Sequence, residues 1–287
     1  MTRKNLLFLC SILLCVTSAV SAQPVKIATK TLNGPDGMTI DKDGNIYIAN
    51  WGKDGKGSTI TRIDKNGSES VYLDNLSSPD GLTFDKNGNL YVSCFASGEI
   101  FKVSKNKKKT LYASGLDHPS DIKFDAQGNL YVSCFGNFNG TKVIKITPAG
   151  QQSVFADGLL VPLGLAFDNK QQLYVCTFGS GTIYKINKAG AKTVFAQIPN
   201  TPQANLQYLA FDEEGNLYCP SYAHGCIYKI DTTGNISRGS MKLDGPNSIY
   251  IKDKKLYVTE FNTGSAYFLI LSLNTFSNFS SLGLMTK

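Results

Sequence analysis

Short apolar runs of about five residues, each closed off by Gly, Asn or Asp, follow one another along most of this chain. In one stretch Gly81-Leu82-Thr83-Phe84-Asp85 reads as a strand and Lys86-Asn87-Gly88 as a turn. Asn89 to Phe95 runs back as a second strand, Glu99 to Val103 is a third, and Thr110 to Ala113 is a fourth beyond a lysine-rich loop. Enrichment in Ile, Val, Tyr and Phe, split by turn-forming residues, predicts one antiparallel meander, and almost nothing after the first 22 residues reads as helix.

The group of four recurs six times with a period of about 42 residues. Its copies open at Gly34-Pro35-Asp36-Gly37, Ser78-Pro79-Asp80-Gly81, His118-Pro119-Ser120-Asp121, Val161-Pro162-Leu163-Gly164, Asn205-Leu206-Gln207-Tyr208 and Gly245-Pro246-Asn247-Ser248. One such sheet is apolar on both faces, so it must lie face to face on the next copy. Six copies around an axis predict an all-β fold: a six-bladed β-propeller of four-stranded antiparallel blades. Val25 to Thr29 looks like a fourth strand with no partners before it, and copy six supplies only three strands. The propeller is therefore expected to be closed by this N-terminal strand. The repeat region spans residues 23–271. The tail at 272–287, uncharged as far as Thr286, is surplus, a frayed end or an apolar flap on the outer rim.

Residues 1–22 stand outside the repeat. Arg3 and Lys4 precede an apolar run from Leu6 to Val16, then small residues ending Val20-Ser21-Ala22, the layout of a cleavable export signal. The expectation is a secreted or periplasmic protein, monomeric and not held in a membrane. Loss of the signal lowers the formal charge from +7 to +5. The densest basic stretch, Lys105 to Lys109, falls at a turn, which argues against nucleic acid as a partner. Cys94, Cys134, Cys176, Cys219 and Cys226 remain, either as small buried hydrophobes or with one bridge between neighbouring copies, and no CxxC spacing supports zinc.

The start of each first strand and the end of each second strand converge on one mouth of the central channel, the natural place for a ligand. There the symmetry breaks. Copies six, one and two bring Asn247, Glu260, Asp36, Asn50 and Asp80, whereas copies three to five bring mostly neutral groups. Carboxylates with amide oxygens suit a hard divalent cation such as calcium; the competing interpretation is that Asp36 and Asp80 are turn residues. Asp41, Asp85, Asp125, Asp168 and Asp212 recur at the other end of the strands and shape turns. His118 and His224, the chain's two histidines, map to the mouth.

The Pro-Asp-Gly strands, the Asp-x-x-Gly-Asn-Leu-Tyr-Val turn and strand and the Gly-x-Ile-Tyr-Lys-Ile strand resemble NHL repeats and the senescence-marker-protein/gluconolactonase/luciferin-regenerating-enzyme family, over about residues 24–271. The resemblance implies a channel-mouth divalent metal, often calcium, and hydrolysis of lactones or related esters. On this chain it assigns Asp36, Asp80 and Asn247 to the metal; Glu260 or His224 would move the proton, and Asn50 and His118 would contact a small-molecule substrate. The chain lacks the family's early Glu-Gly-Pro. An alternative is a non-enzymatic propeller binding a small molecule, glycan or protein. A third is a streptogramin lyase, which Val258-Thr259-Glu260-Phe261 resembles, although Asn262 stands where that motif offers a histidine.

Overall fold

A computed structural model of the chain describes residues 24–28, 30–198, 203–271 and 276–278. The expected signal segment and Thr29 lie outside them, as does most of the tail. The described residues form six antiparallel sheets and no helix. Blade one is Pro35–Ile40, Ile46–Asn50, Thr59–Ile63 and Glu69–Leu73, and blades two to four repeat it strand for strand. Blade six is Pro246–Lys252, Lys255–Glu260 and Ser265–Ile270. Its outer place is filled by Val25–Lys26, which pairs with Tyr267 and Phe268, so the orphan strand does fasten the ring. Phe276–Asn278 of the tail pairs with Ile236–Gly239 as a fifth strand on blade five.

The turn aspartates explain why the reversals recur so regularly. Asp85 Oδ1 accepts the amides of Asn87 and Asn89, at 2.9 and 2.8 Å, while Asn89 Nδ2 donates to Asp85 Oδ2 at 2.7 Å. Asp41, Asp125 and Asp168 take the same pair of backbone amides. Blade contact has its own repeated device. The second-strand tyrosine of one blade meets an aromatic ring on its outer strand and the first-strand Phe of the next. Tyr47 does so with Tyr72 and Phe84 at 4.8 and 5.2 Å, Tyr91 with Tyr112 and Phe124, and Tyr131 with Phe155 and Phe167. Third-strand Lys102, Lys145, Lys185 and Lys229 lie over the second-strand Tyr91, Tyr131, Tyr174 and Tyr218 at 5.3–5.8 Å, a cation over each of these four rings. All five described cysteines are free and buried, as expected of small hydrophobes.

Near the axis each first strand is bulged, and this sets the stage for the mouth. The register of Pro35–Ile40 against Ile46–Asn50 slips between Pro35 and Met38, and the same slip recurs at Pro79, Pro119, Pro162 and Pro246. A Cβ on Gly37 would lie 2.1 Å from the Asp80 carbonyl, on Gly81 2.4 Å from that of Ser120, and on Gly164 2.3 Å from that of Gln207. Neighbouring blades thus touch backbone to backbone there, and only glycine fits. At the matching position the other three blades carry Asp121, Tyr208 and Ser248.

Candidate functional site

The residue before each bulge takes a left-handed conformation in all six blades: Gly34, Ser78, His118, Val161, Asn205 and Gly245, with φ between 47 and 65°. For a β-branched residue such as Val161 this is strained backbone, held only because the ring over-determines it. The turn it makes swings the next residues, Asp36, Asp80, Ser120, Leu163, Gln207 and Asn247, to the channel. Of these Asp80, Ser120, Leu163, Gln207 and Asn247 are buried, and Asp36 keeps part of its surface open.

A buried carboxylate cluster results. Tyr208, from blade five, crosses the channel so that its hydroxyl donates to Asp80 Oδ1; Tyr208 and Asn247 also lie close enough to Asp36 to favour its charged form. Ser120 Oγ donates to Asp80 Oδ1 at 3.1 Å. Burial, opposed by Tyr208 and Asn247, pushes the Asp36 carboxyl up to about 7. Burial and then the charge of Asp36 raise Asp80 well above the ordinary carboxylate range. The Tyr208 hydroxyl is pushed up by burial and by the three neighbouring aspartates. Asp121 is wholly buried: its Oδ1 meets Lys123 Nζ at 2.5 Å and its Oδ2 accepts the Leu165 amide at 2.8 Å, so it ties blade three to blade four. Met38 N donating to Ser248 Oγ at 2.9 Å ties blade six to blade one.

The structure therefore brings together Asp36, Asp80 and Asn247. It engages the other expected residues elsewhere. Asn50 Nδ2 donates to Thr59 and Thr61 of its own blade, both at 3.0 Å. Glu260 accepts the Asp244 amide at 3.0 Å and the Thr263 hydroxyl at 2.7 Å. His224 Nδ1 lies 3.0 Å from the Tyr228 hydroxyl, and burial with Arg238 beside it lowers its pKa. His118 sits at the rim, 2.9 Å from Asp117 and edge-on to Phe95 at 4.9 Å.

Two features of the mouth escaped the sequence pattern. Asp121 and Tyr208 occupy the glycine position of the bulge, one residue past the place compared between copies. The second is aromatic. The residue immediately after each second strand is Trp51, Phe95, Phe135, Phe178, Tyr222 or Phe261, aromatic in six copies out of six. Each backbone amide of this set donates to the carbonyl of the left-handed residue of its blade, at 2.9–3.1 Å. That bond places every ring one layer above the carboxylates. From Tyr222 through Phe261, Trp51, Phe95 and Phe135 to Phe178 the rings stand 5.5–6.2 Å apart. Aligning the copies one residue further would have revealed this collar.

Among the described residues no three His, Cys, Asp or Glu side chains form a group that by itself could hold a metal ion. The buried Asn247 Oδ1, however, has no hydrogen-bond partner, and it belongs to the amide that lies beside Asp36. An orphaned carbonyl beside two carboxylates and a phenol oxygen is an all-oxygen donor set, which fits a hard cation whose remaining positions are filled by water. A hollow of about 750 Å³ opens at the other end of blades five and six, lined among others by Asp212, Glu214, Lys229, Asp231, Lys252 and Phe276. It shares no residue with the mouth.

Residues 114–262 match the SMP-30/Gluconolactonase/LRE-like region. No curated protein matches the chain by sequence. Among solved structures, a gluconolactonase from Xanthomonas campestris has a TM-score of 0.74 at 17% identity, covering 88% of this chain and 90% of its own. Regucalcin from Agrobacterium tumefaciens, a calcium-binding protein, has a TM-score of 0.73 at 15% identity, covering 86% and 93%. Virginiamycin B lyase from Staphylococcus aureus has a TM-score of 0.67 at 19% identity, covering 87% and 99%. At these identities the likeness establishes the propeller fold.

Proposed function

We propose a function from the premise that this chain belongs to the SMP-30/Gluconolactonase/LRE-like family: it hydrolyses a small lactone or ester at the mouth of its propeller channel. The observation that carries the proposal is the convergence of Asp36, Asp80 and Asn247, with the Asn247 carbonyl left unpartnered in a buried place. These three residues would hold a divalent cation, for which calcium is the proposed identity. When bound, such an ion polarises a carbonyl and lowers the pKa of a water. Tyr208, itself buried, fixes the Asp80 carboxylate through its hydroxyl. His118, on the rim, is placed to pass a proton between the mouth and solvent. Glu260 and His224 are not given that task, since Glu260 holds its own blade's loop and His224 is bonded to Tyr228. The proposal includes export: the signal-like layout of residues 1–22 supports an activity outside the cytoplasm.

One observation favours a second reading, that of a binding protein without catalysis. The Asp80 oxygen already accepts from both Tyr208 and Ser120, as expected of a receptor floor. The two are separated by assaying lactones and esters with calcium and with EDTA, alongside Asp80→Asn. Calcium-dependent turnover that Asp80→Asn abolishes supports the hydrolase. Turnover no greater than the variant's, together with a melting temperature indifferent to calcium, removes it.

A further inference from the structure

The collar has a chemistry that the carboxylate cluster does not explain. Four of its six members are Phe, with no hydrogen-bonding atom in the ring, and the Tyr222 hydroxyl is spent on Asn262 Oδ1 at 2.6 Å. Its rings are not simply core. Trp51, Phe95, Phe178, Tyr222 and Phe261 all keep part of their surface in water, and Phe138, 67% exposed, stands against Phe135 and Phe178 at 5.0 and 6.0 Å. Three of the rings lean over the left-handed residue of the next blade: a Cβ on Gly34 would meet Phe261 at 3.1 Å, one on Gly245 would meet Tyr222 at 2.8 Å, and Phe95 lies 4.9 Å from the His118 ring. These contacts hold those rings in place before any ligand arrives.

Below the collar the mouth has two unlike sides. Under blades six, one and two lie Asn247, Asp36 and Asp80, with Ser120 of blade three bonded to Asp80. Under blades three and four, Phe135, Val161, Leu163 and Tyr208 form one apolar cluster with Phe95 and Phe178 resting on it. Leu163 is the one apolar residue at a repeat position that is otherwise Asp36, Asp80, Ser120, Gln207 or Asn247. The six rings form an arc with five successive spacings of 5.5–6.2 Å from Tyr222 round to Phe178, and a group seated inside it lies within the distance range of aromatic contact with its neighbours. One further ring fits there. An α-helix, about 10–12 Å across with its side chains, does not.

We propose that the collar and the Val161–Leu163 side form a subsite for a single aryl or branched-alkyl group, so that the ligand is a small hydrophobic lactone or ester and not a polyhydroxylated sugar lactone. This deepens the hydrolase reading and rests on it for the reacting group, though the binding it describes does not depend on turnover. A polyol entering the collar exchanges water for rings that offer its several hydroxyls at most the indole N–H of Trp51, and unpaired polar groups oppose binding strongly. An aryl group loses no hydrogen bond and covers the exposed ring surface.

The chain's single tryptophan, Trp51, belongs to the collar, so its fluorescence reports occupancy directly. The probes are two lactams that cannot be hydrolysed as esters, 5-phenyl-2-pyrrolidinone and D-glucono-δ-lactam, titrated with calcium present. The phenyl lactam is expected to bind about tenfold or more tightly than the sugar lactam. Phe178→Ser and Leu163→Asn are each expected to weaken it by about tenfold, while Val194→Ser, on an outer strand and 61% exposed, leaves it unchanged. Leu163→Asn introduces only what blade six already carries at Asn247, which keeps the test open if Phe178→Ser misfolds. Equal affinity for the two lactams, or a phenyl lactam indifferent to Leu163→Asn, overturns the subsite. Failure of lactone turnover with the phenyl preference intact overturns only the hydrolase.

Discussion

Removing the charge of one buried acid gives the most direct test of the mouth. Asp36 is held at about 7 against an ordinary 3.8, chiefly by burial. A raised acid binds more protons in the folded state than in the unfolded one, so stability is greatest below pH 4 and falls as pH climbs towards 7. The full interval corresponds to about 4 kcal/mol, of which about 2 kcal/mol is lost between pH 5 and pH 7. In a chain of this size that lowers the melting temperature by about 4–8 °C. Asp80, raised by burial and by the charge of Asp36, adds a fall of the same sign as pH rises. His224, pulled below its usual pKa by burial and Arg238, works the other way over the same range. Asp231, held down at about 2, has finished titrating by pH 5. Thermal denaturation followed by circular dichroism, in EDTA at pH 5 and pH 7, is therefore run on the wild type and on Asp36→Asn, which keeps both. The wild type is expected to melt lower at pH 7, and the difference is expected to shrink or reverse in Asp36→Asn. A wild type that gains stability from pH 5 to pH 7, or a variant with the wild-type drop, refutes the reasoning.

Three other outcomes are expected. Tyr208→Phe removes the hydroxyl that serves Asp36 and Asp80 and is expected to cost about 1–3 kcal/mol in a urea melt at pH 5; an unchanged midpoint means the bridge across the channel is not made. Gly37→Ala drives a Cβ to 2.1 Å from the Asp80 carbonyl and is expected to cost about 3 kcal/mol or prevent folding, whereas Gly179→Ala, with nothing within 4 Å, is expected to be neutral. Equal midpoints for the two would deny the close approach of blades one and two. Phe276→Ala takes away the ring that meets Tyr218 at 5.3 Å beside the fifth strand of blade five and is expected to cost about 2–3 kcal/mol; wild-type stability would show that the strand adds nothing.

How much of the mouth could be read from residues alone varies with how local each cause is. The turn aspartates were legible because Asp85 makes its bonds within four residues. The closing strand was legible because Val25 to Thr29 had the look of an outer strand and copy six was short of one. Asp36, Asp80 and Asn247 could be nominated as neighbours because the repeat fixes their level in the ring. The tail could not be placed, since the edge it pairs with belongs to blade five and lies about 40 residues back in sequence. Phe95 and its five counterparts were legible but lay one residue beyond the end of the strand being compared.

What the amino-acid order determined by itself was therefore whatever a repeat of about 42 residues enforces: six sheets, their turns, their closure and the level at which each side chain enters the channel. Only the tertiary structure decided which of those side chains share a proton, a partner or a surface. Strands alternate their side chains with period two, and the slip at the start of each first strand breaks that count, so Asp121 and Tyr208 occupy the position that is glycine in copies one, two and four. Tyr208 meets Asp80 across 128 residues of sequence, and no local preference carries that information. It exists because the ring closes, and closing it brings unlike copies face to face.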